Sequence, residues 1–190
     1  GYTVAIGAQY NGGGGGLAGH VRIYNYNGSS WNQVGQDIDG EAAGDWCGHS
    51  VSLSNNGNTV AIGAQFNDGN GSNSGHVRIY SYNGSSWNQV GQDIDGEAAG
   101  DHSGASASLS SDGNTLAVGA LHNDGNGTSA GHVRIFNYNG SSWVQIGQDL
   151  DGESAGDQSG SSISLSSDAS IIAIGARYNA GNGTDAGHVR

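Results

Sequence analysis

The sequence has no proline, methionine or lysine, and only one cysteine among its 190 residues. A single cysteine excludes a framework of intrachain disulfides. No apolar run reaches the length that a membrane span requires. Positive charge is also scarce, because 5 basic residues face 17 acidic ones and the net charge is −12. Such a chain should repel nucleic acid and anionic lipid, so we expect neither as a partner.

The chain is built from a repeat of 56 residues. The segment 19–31 returns almost unchanged at 75–87 and 131–143, and a further copy begins at Gly187. Such a repeat is typical of one supersecondary unit placed beside copies of itself. We therefore predict a single repeat region. Its expected divisions are 1–18 (partial unit), 19–74, 75–130, 131–186 and 187–190 (start of the next unit). Because the chain opens and closes inside a unit, we expect it to be a segment of a longer repetitive protein.

The sequence pattern within each unit predicts four strands and no helix. Residues Ser50–Ser54 alternate between polar and apolar, and Thr59–Ala64 is a continuous run of small apolar residues. Two more strands are predicted at His76–Tyr82 and Trp87–Asp93, joined by a type I′ turn at Asn83-Gly84. The expected fold is all-β, with four-stranded antiparallel meanders that are blades of a β-propeller, within a larger ring or repeat array. The central strand should be buried between units at Ala61, Ile62, Ala117, Val118, Ala173 and Ile174.

Short glycine motifs in each unit resemble the FG-GAP repeat of integrin-α-like propellers. The matching elements are Gly48, Gly63-Ala64 and the strand Gly75-x-Val77-x-Ile79-Tyr80. Cys47 stands where that family has Phe, Gln65 stands where it has Pro, and the family's calcium loop between the first two strands is missing. The resemblance implies a propeller and an extracellular or cell-surface binding role, and it does not imply a particular ligand.

An acidic linker closes each unit and is the candidate metal site. Oxygen ligands at alternating positions around a glycine turn suit a hard cation, so Ca²⁺ is the cofactor we consider. The alternative is a solvated loop whose carboxylates pair with the arginine of the third strand. The candidate ligands are Asp37, Asp39, Glu41, Asp45, Asp93, Asp95, Glu97, Asp101, Asp149, Asp151, Glu153 and Asp157.

The segment Trp46-Cys47-Gly48-His49 breaks the repeat, because the next unit has His102-Ser103-Gly104-Ala105 there. Positions that differ between matching units are either tolerant surface or sites of specific contact. We take Trp46, His49 and His102 as candidate ligand-binding residues. Cys47 and His49 are too few for a zinc site, and no oxyanion site accompanies the thiol, so no catalytic residue is predicted.

Histidine and arginine recur two residues apart on the third strand of every unit. We predict that the histidines are hydrogen-bonded structural residues and that the arginines form ion pairs between units. These residues are His20, His76, His132 and His188, with Arg22, Arg78, Arg134 and Arg190.

Near-identical units offer a surface more readily than one asymmetric reaction centre, so the sequence predicts that the chain is not an enzyme. We predict an extracellular or surface-displayed module for adhesion or ligand binding. Its partners would be a protein or glycan at a surface, or further copies of itself. One alternative is a structural segment of an extracellular filament, appendage or viral fibre. A second alternative is lectin-like multivalent sugar binding.

Overall fold

The computed structural model describes residues 2–190, which form four antiparallel sheets without any helix. We call these sheets blades 1 to 4. Blade 1 contains β1 (Tyr2–Ala8), β2 (His20–Tyr26), β3 (Trp31–Gln33) and β4 (Ile38–Asp39). Blade 2 contains β5 (Ser50–Leu53), β6 (Thr59–Ala64), β7 (His76–Tyr82), β8 (Trp87–Gln89) and β9 (Ile94–Asp95). Blade 3 contains β10 (Ser103–Leu109), β11 (Thr115–Ala120), β12 (His132–Tyr138), β13 (Trp143–Gln145) and β14 (Leu150–Asp151). Blade 4 contains β15 (Ser159–Leu165), β16 (Ile172–Ala176) and β17 (His188–Val189).

The predicted all-β fold of propeller blades is confirmed. Strands within a blade follow a meander in chain order, such as β5-β6-β7-β8. The sequence boundaries at residues 19, 75 and 131 fall inside sheets, just before β2, β7 and β12. Each complete blade therefore combines parts of two consecutive sequence units. Within residues 2–190, no helix has the length and apolarity needed to cross a membrane.

The fourth strand differs from the prediction, because it is interrupted instead of running from Trp87 to Asp93. The segments β8 and β9 both pair with β7, and the chain between them leaves the ladder. Gly91 lies in this break with φ of 75°, which few residues other than glycine adopt. A Cβ atom at Gly91 would lie 2.8 Å from Cδ1 of Trp143 in the following blade. The interruption therefore makes room for the next blade's indole.

The hairpin at Asn83 is also built differently from the predicted type I′ turn. That turn needs positive φ at both central residues, and here only Gly84 has it, at 98°. Instead the Asn83 Oδ1 atom accepts hydrogen bonds from the backbone N–H groups of Ser85 and Ser86, at 2.9 and 3.0 Å. The Asn83 N–H closes the loop by donating to the Ser86 carbonyl at 3.1 Å. The Asn83 side chain thus stabilises the turn without a second residue of positive φ.

The hydrophobic core lies between the blades. Trp87 and Trp143 are each 3% exposed, and their indole N–H groups donate to the carbonyls of Val34 and Val90 in the preceding blades, at 2.7 and 2.9 Å. Burying both faces of each central strand against its neighbours removes apolar surface from water. The predicted buried positions are confirmed for Ala61, Ile62, Ala117, Val118 and Ile174. Ala173 is half-buried, because β16 belongs to the last blade and has no following blade on its outer face.

Backbones of neighbouring blades approach closely at one glycine of each central strand. A Cβ atom at Gly63 would lie 2.1 Å from the Gly104 carbonyl oxygen, and one at Gly119 would lie 2.3 Å from that of Gly160. The same carbonyl accepts a hydrogen bond from a serine of the first strand, as in Ser106 Oγ to Gly160 O at 2.7 Å. Only glycine leaves space for this contact, so the close packing of neighbouring blades requires glycine at this position of the Gly-Ala motif.

Candidate functional site

The four carboxylates of each acidic linker point to different partners instead of converging on one ion. In the first linker, Asp37 stays within its own blade, where Arg22 Nη2 donates to its Oδ2 at 2.7 Å. This hydrogen bond lowers the pKa of Asp37 to about 2. Asp45 is 4% exposed, and its Oδ2 accepts from the Ala42 N–H and from Asn67 Nδ2, each at 3.0 Å. The same pairs recur as Asp101 with Asn123 and Asp157 with Asn179.

The remaining two acidic residues contact the arginine of the following blade, one through its carboxylate and the other through its backbone carbonyl. Glu41 Oε1 lies 3.3 Å from Arg78 Nη1, and Arg78 Nη2 donates to the carbonyl oxygen of Asp39 at 2.8 Å. Arg78 is buried, whereas the Asp39 side chain is exposed. The predicted ion pairs between units are therefore confirmed for Arg78, and the prediction is wrong for Arg22, which pairs with Asp37 of its own unit. They recur as Glu97 with Arg134 and Glu153 with Arg190, while Asp95 and Asp151 supply the equivalent carbonyls.

At the junctions between blades 1 and 2 and between blades 2 and 3, a histidine lies between two carboxylates. His76 Nδ1 lies 3.9 Å from Glu41 Oε2 and 3.8 Å from Asp93 Oδ2. Burial, aided by the charge of Arg78, lowers the pKa of His76 to about 4, so the ring is neutral at pH 7. The prediction of a hydrogen-bonded histidine is wrong for His132, since neither of its ring nitrogens has a hydrogen-bond partner.

A second feature lies where the repeat varies, and we call it the aromatic row. Its rings meet edge to face in the order Tyr10, Trp46, Phe66, His102 and His122. The centroid separations along the row are 4.8, 4.3, 4.7 and 4.8 Å, so three lie at the short end of the normal range for aromatic pairs and the Trp46–Phe66 separation is slightly below it. The row crosses from one blade to the next, so it exists only because the blades are stacked.

Two members of this row, Trp46 and His102, are among the residues predicted from sequence, whereas Tyr10, Phe66 and His122 are not. The missed residues share one repeat position, two residues after each central strand. That position also varies between units, and this variation was the signal that could have identified them. The third predicted ligand-binding residue, His49, is exposed beside the row, with its ring centroid 6.5 Å from that of Trp46.

The backbone beneath the row has the same conformation in successive junctions. Trp46 and His102 adopt left-handed φ angles of 59° and 54°, and Gln158 has 52° at the equivalent place. Burial lowers the pKa of both His102 and His122, which keeps these rings neutral at pH 7. Uncharged rings of this kind can stack on a ligand and offer one donor and one acceptor each.

Polar grooves run beside the row. One groove of about 550 Å³ is lined by residues that include Glu97, Asp101, His102, His122, Asp124 and Ser129. An equivalent groove of about 460 Å³ follows in the next junction, where Tyr178 replaces the histidine. Carboxylates and hydroxyls next to aromatic rings are suited to a ligand that has both apolar and hydrogen-bonding faces.

The fold and the repeated junctions define a protein made of β-propeller blades. A family model for the FG-GAP repeat matches residues 38–80. The chain therefore carries an FG-GAP-like β-propeller repeat, as its glycine motifs predicted. The match runs from the acidic linker of blade 1 to the third strand of blade 2, so it includes the first Glu–Arg junction. No curated protein sequence matches the chain.

Among solved structures, the chain is similar to a Bacteroides uniformis protein provisionally assigned as a 6-phosphogluconolactonase, with a TM-score of 0.55 and 15% identity. The similarity covers 91% of this chain and 48% of that one, so the chain spans about half the length of the solved protein. The likeness shows the fold alone. It also corrects the prediction that the chain is not an enzyme. That prediction is wrong, because the fold occurs in a protein assigned as an enzyme and repetition is no ground for excluding catalysis.

Proposed function

We propose that this chain is an extracellular or surface-displayed repeat module that binds a ligand through the aromatic row and serves in adhesion. The observation that carries the proposal is the row itself. Its residues change from unit to unit, while the strands that hold them stay nearly constant. Exposed side chains that vary on a rigid scaffold are typical of binding surfaces.

The chemistry of the row favours a ligand with flat apolar faces and hydroxyl groups. Phe66 and Trp46 are half-buried, so their backbones are fixed while part of each ring remains open to solvent. Asp124 and Ser129 lie in the adjoining groove. A pyranose can stack its C–H face on such rings and donate its hydroxyls to the carboxylates. A surface glycan is therefore the first candidate ligand, and a protein presenting similar groups is the second.

Repetition gives the row a further property that suits adhesion. Equivalent grooves occur in successive junctions, so one chain offers several neighbouring contacts to a repetitive ligand. Linking weak contacts raises the overall affinity by the effective concentration of the second contact. The net charge of −12 also favours neutral or cationic partners over anionic ones.

The proposal is tested by binding to a glycan array and to intact cells. The variant Trp46→Ala/Phe66→Ala should lose most of the binding, because it removes the two largest rings of the row. Trp31→Ala is the matched control, since Trp31 is 52% exposed and lies on blade 1 outside the row. Unfolding curves establish that both variants fold. If the double variant binds as well as the control, the row is not the binding site.

A structural role in a filament is the second candidate, and the repeated junctions between blades favour it. Trp87 and Trp143 occupy the same place in successive blades, and each is 3% exposed. Blades that bury apolar surface against near-identical neighbours can be stacked into an open array. Electron microscopy separates the two roles, because open helical arrays support the filament and isolated particles or closed rings support the binding module.

A further inference from the structure

We propose that Glu97, His132 and Asp149 form a zinc-type metal site between blades 2 and 3, and that Glu41, His76 and Asp93 form its copy between blades 1 and 2. The three ligand atoms of each set lie within 4.8 Å of one another. These sets differ from the acidic linkers predicted from sequence. Each takes a glutamate from one linker, an aspartate from the next linker and a histidine from the strand between them.

The carboxylates of the second set are oriented so that one oxygen of each faces His132. Asp149 Oδ1 accepts a hydrogen bond from Gln145 Nε2 at 2.6 Å, which leaves Oδ2 only 3.7 Å from His132 Nδ1. Glu97 Oε1 lies 3.6 Å from Arg134 Nη1, which leaves Oε2 at 3.9 Å from the same nitrogen. Outer partners that fix the direction of ligand atoms are typical of metal sites.

The histidine supplies an independent observation that points to a ligand. The His132 residue is 1% exposed, and its Nδ1 faces both carboxylates at distances too long for a hydrogen bond. Both of its ring nitrogens lack a partner, although buried polar atoms in folded proteins are nearly always satisfied. A cation between Nδ1 and the two carboxylate oxygens would satisfy the nitrogen that faces them.

The donor set indicates which cation fits. Imidazole nitrogen and carboxylate oxygen are both donor types that Zn²⁺ accepts, and three protein ligands leave its fourth position open. Bonds of roughly 2.0–2.2 Å in a tetrahedron place ligand atoms about 3.3–3.6 Å apart. The two separations from His132 Nδ1, 3.7 and 3.9 Å, need to shorten by only a few tenths of an ångström, and the two carboxylate oxygens lie within 4.8 Å of each other. Ca²⁺ needs six to eight oxygens and is a poorer match.

Charge also permits a divalent cation at this junction. Glu97 and Asp149 contribute two negative charges, the His132 imidazole binds a metal in its neutral form, and Arg134 contributes one positive charge. Arg134 contacts the outer oxygen of Glu97 and leaves the inner one free. A bound Zn²⁺ therefore leaves the group with a single net positive charge, which the surrounding acidic surface offsets.

The test uses Zn²⁺ alone, measured by isothermal titration calorimetry and by metal content after desalting. The parent chain should bind two Zn²⁺ ions, Glu97→Gln should bind one, and Glu41→Gln/Glu97→Gln should bind none at the same concentration. These glutamate side chains are 45% and 43% exposed, so their replacement leaves the core intact. Gln145→Ala, which removes an orienting partner, should weaken one site by roughly 10–100-fold.

His102→Gln/His122→Gln is the matched control, because it removes two histidines of the aromatic row and should keep both ions. Co²⁺ in place of Zn²⁺ should give visible absorption bands that disappear in Glu41→Gln/Glu97→Gln. Absence of Zn²⁺ binding by the folded parent chain overturns the proposal. So does binding that survives the glutamate changes, or binding that is lost in the row variant, since both mean adventitious capture. The outcome is separate from ligand binding by the row, because Gln145→Ala changes neither the row nor its groove and should retain that binding.

Discussion

A single methyl group added at Gly119 tests whether the blades meet as described. In Gly119→Ala the new Cβ would lie 2.3 Å from the carbonyl oxygen of Gly160 and 2.5 Å from Ser106 Oγ. Real Cβ atoms do not approach other heavy atoms so closely, so the two blades must separate locally. Overpacking of this kind destabilises by roughly 1–3 kcal/mol. Displacing Ser106 from Gly160 removes a hydrogen bond that contributes about 1 kcal/mol, so the expected loss is about 2–4 kcal/mol.

The repeat supplies its own comparison at Gly175, which occupies the same position in the last blade. A Cβ atom there meets Ser162 Oγ at 2.3 Å, and no carbonyl of a following blade lies near it. Because a serine side chain can rotate away, Gly175→Ala should change stability by less than about 1 kcal/mol, with the gain of alanine over glycine in a strand as a partial offset. Gly16→Ala is the neutral control, since a Cβ atom there has nothing within 4 Å.

Urea unfolding followed by tryptophan fluorescence measures these differences. We expect the midpoint of Gly119→Ala to fall clearly, with Gly175→Ala and Gly16→Ala close to the parent chain. Equal losses for Gly119→Ala and Gly175→Ala would mean that the clash arises within one blade, and the inferred contact between blades would then be wrong.

Three further predictions concern side chains and ions. Arg22→Gln should raise the pKa of Asp37 from about 2 toward the ordinary value of 3.8, measured by NMR titration of the carboxyl carbon. Because the folded pKa is the lower one, the contribution of Asp37 to stability is present above pH 3.8 and is lost as the pH falls from there toward 2. Trp87→Ala should destabilise by about 3–5 kcal/mol and Trp31→Ala by much less, since only the first indole is buried. For the chain freed of zinc, thermal unfolding in EDTA or millimolar Ca²⁺, with Mg²⁺ at matched ionic strength, should give coincident curves if arginine pairing neutralises the linkers, and a calcium-specific rise in Tm contradicts that.

The strands were predictable because their signals are local. The run Thr59–Ala64 has small apolar residues at consecutive positions, and a strand of that kind is soluble only when both faces are covered. The break at Gly91 was not predictable from its own neighbourhood. It accommodates Trp143, which lies 52 positions further along the chain and reaches Gly91 only when blades stack.

In the candidate site, too, the contacts that follow from sequence were predictable, whereas the side-chain directions set by the neighbouring blade were not. Sequence correctly indicated that Arg78 pairs with a neighbouring unit, because a chain with few positive charges leaves its carboxylates few other partners. It did not separate Glu41, which crosses the junction, from Asp45, which turns inward to Asn67. Both are acidic residues in one short linker, and their different directions are set by the blade packed against them.

The left-handed backbone under the aromatic row has an evolutionary consequence. Trp46, His102 and Gln158 all have φ between 52° and 59°, a conformation that is strained by about 1–3 kcal/mol in residues other than glycine. Because three chemically different side chains adopt it, the strain is a property of the position and not of its occupant. One residue per blade can therefore be exchanged without rebuilding the loop. Recognition can diverge between related chains through single codon changes while the scaffold beneath stays the same.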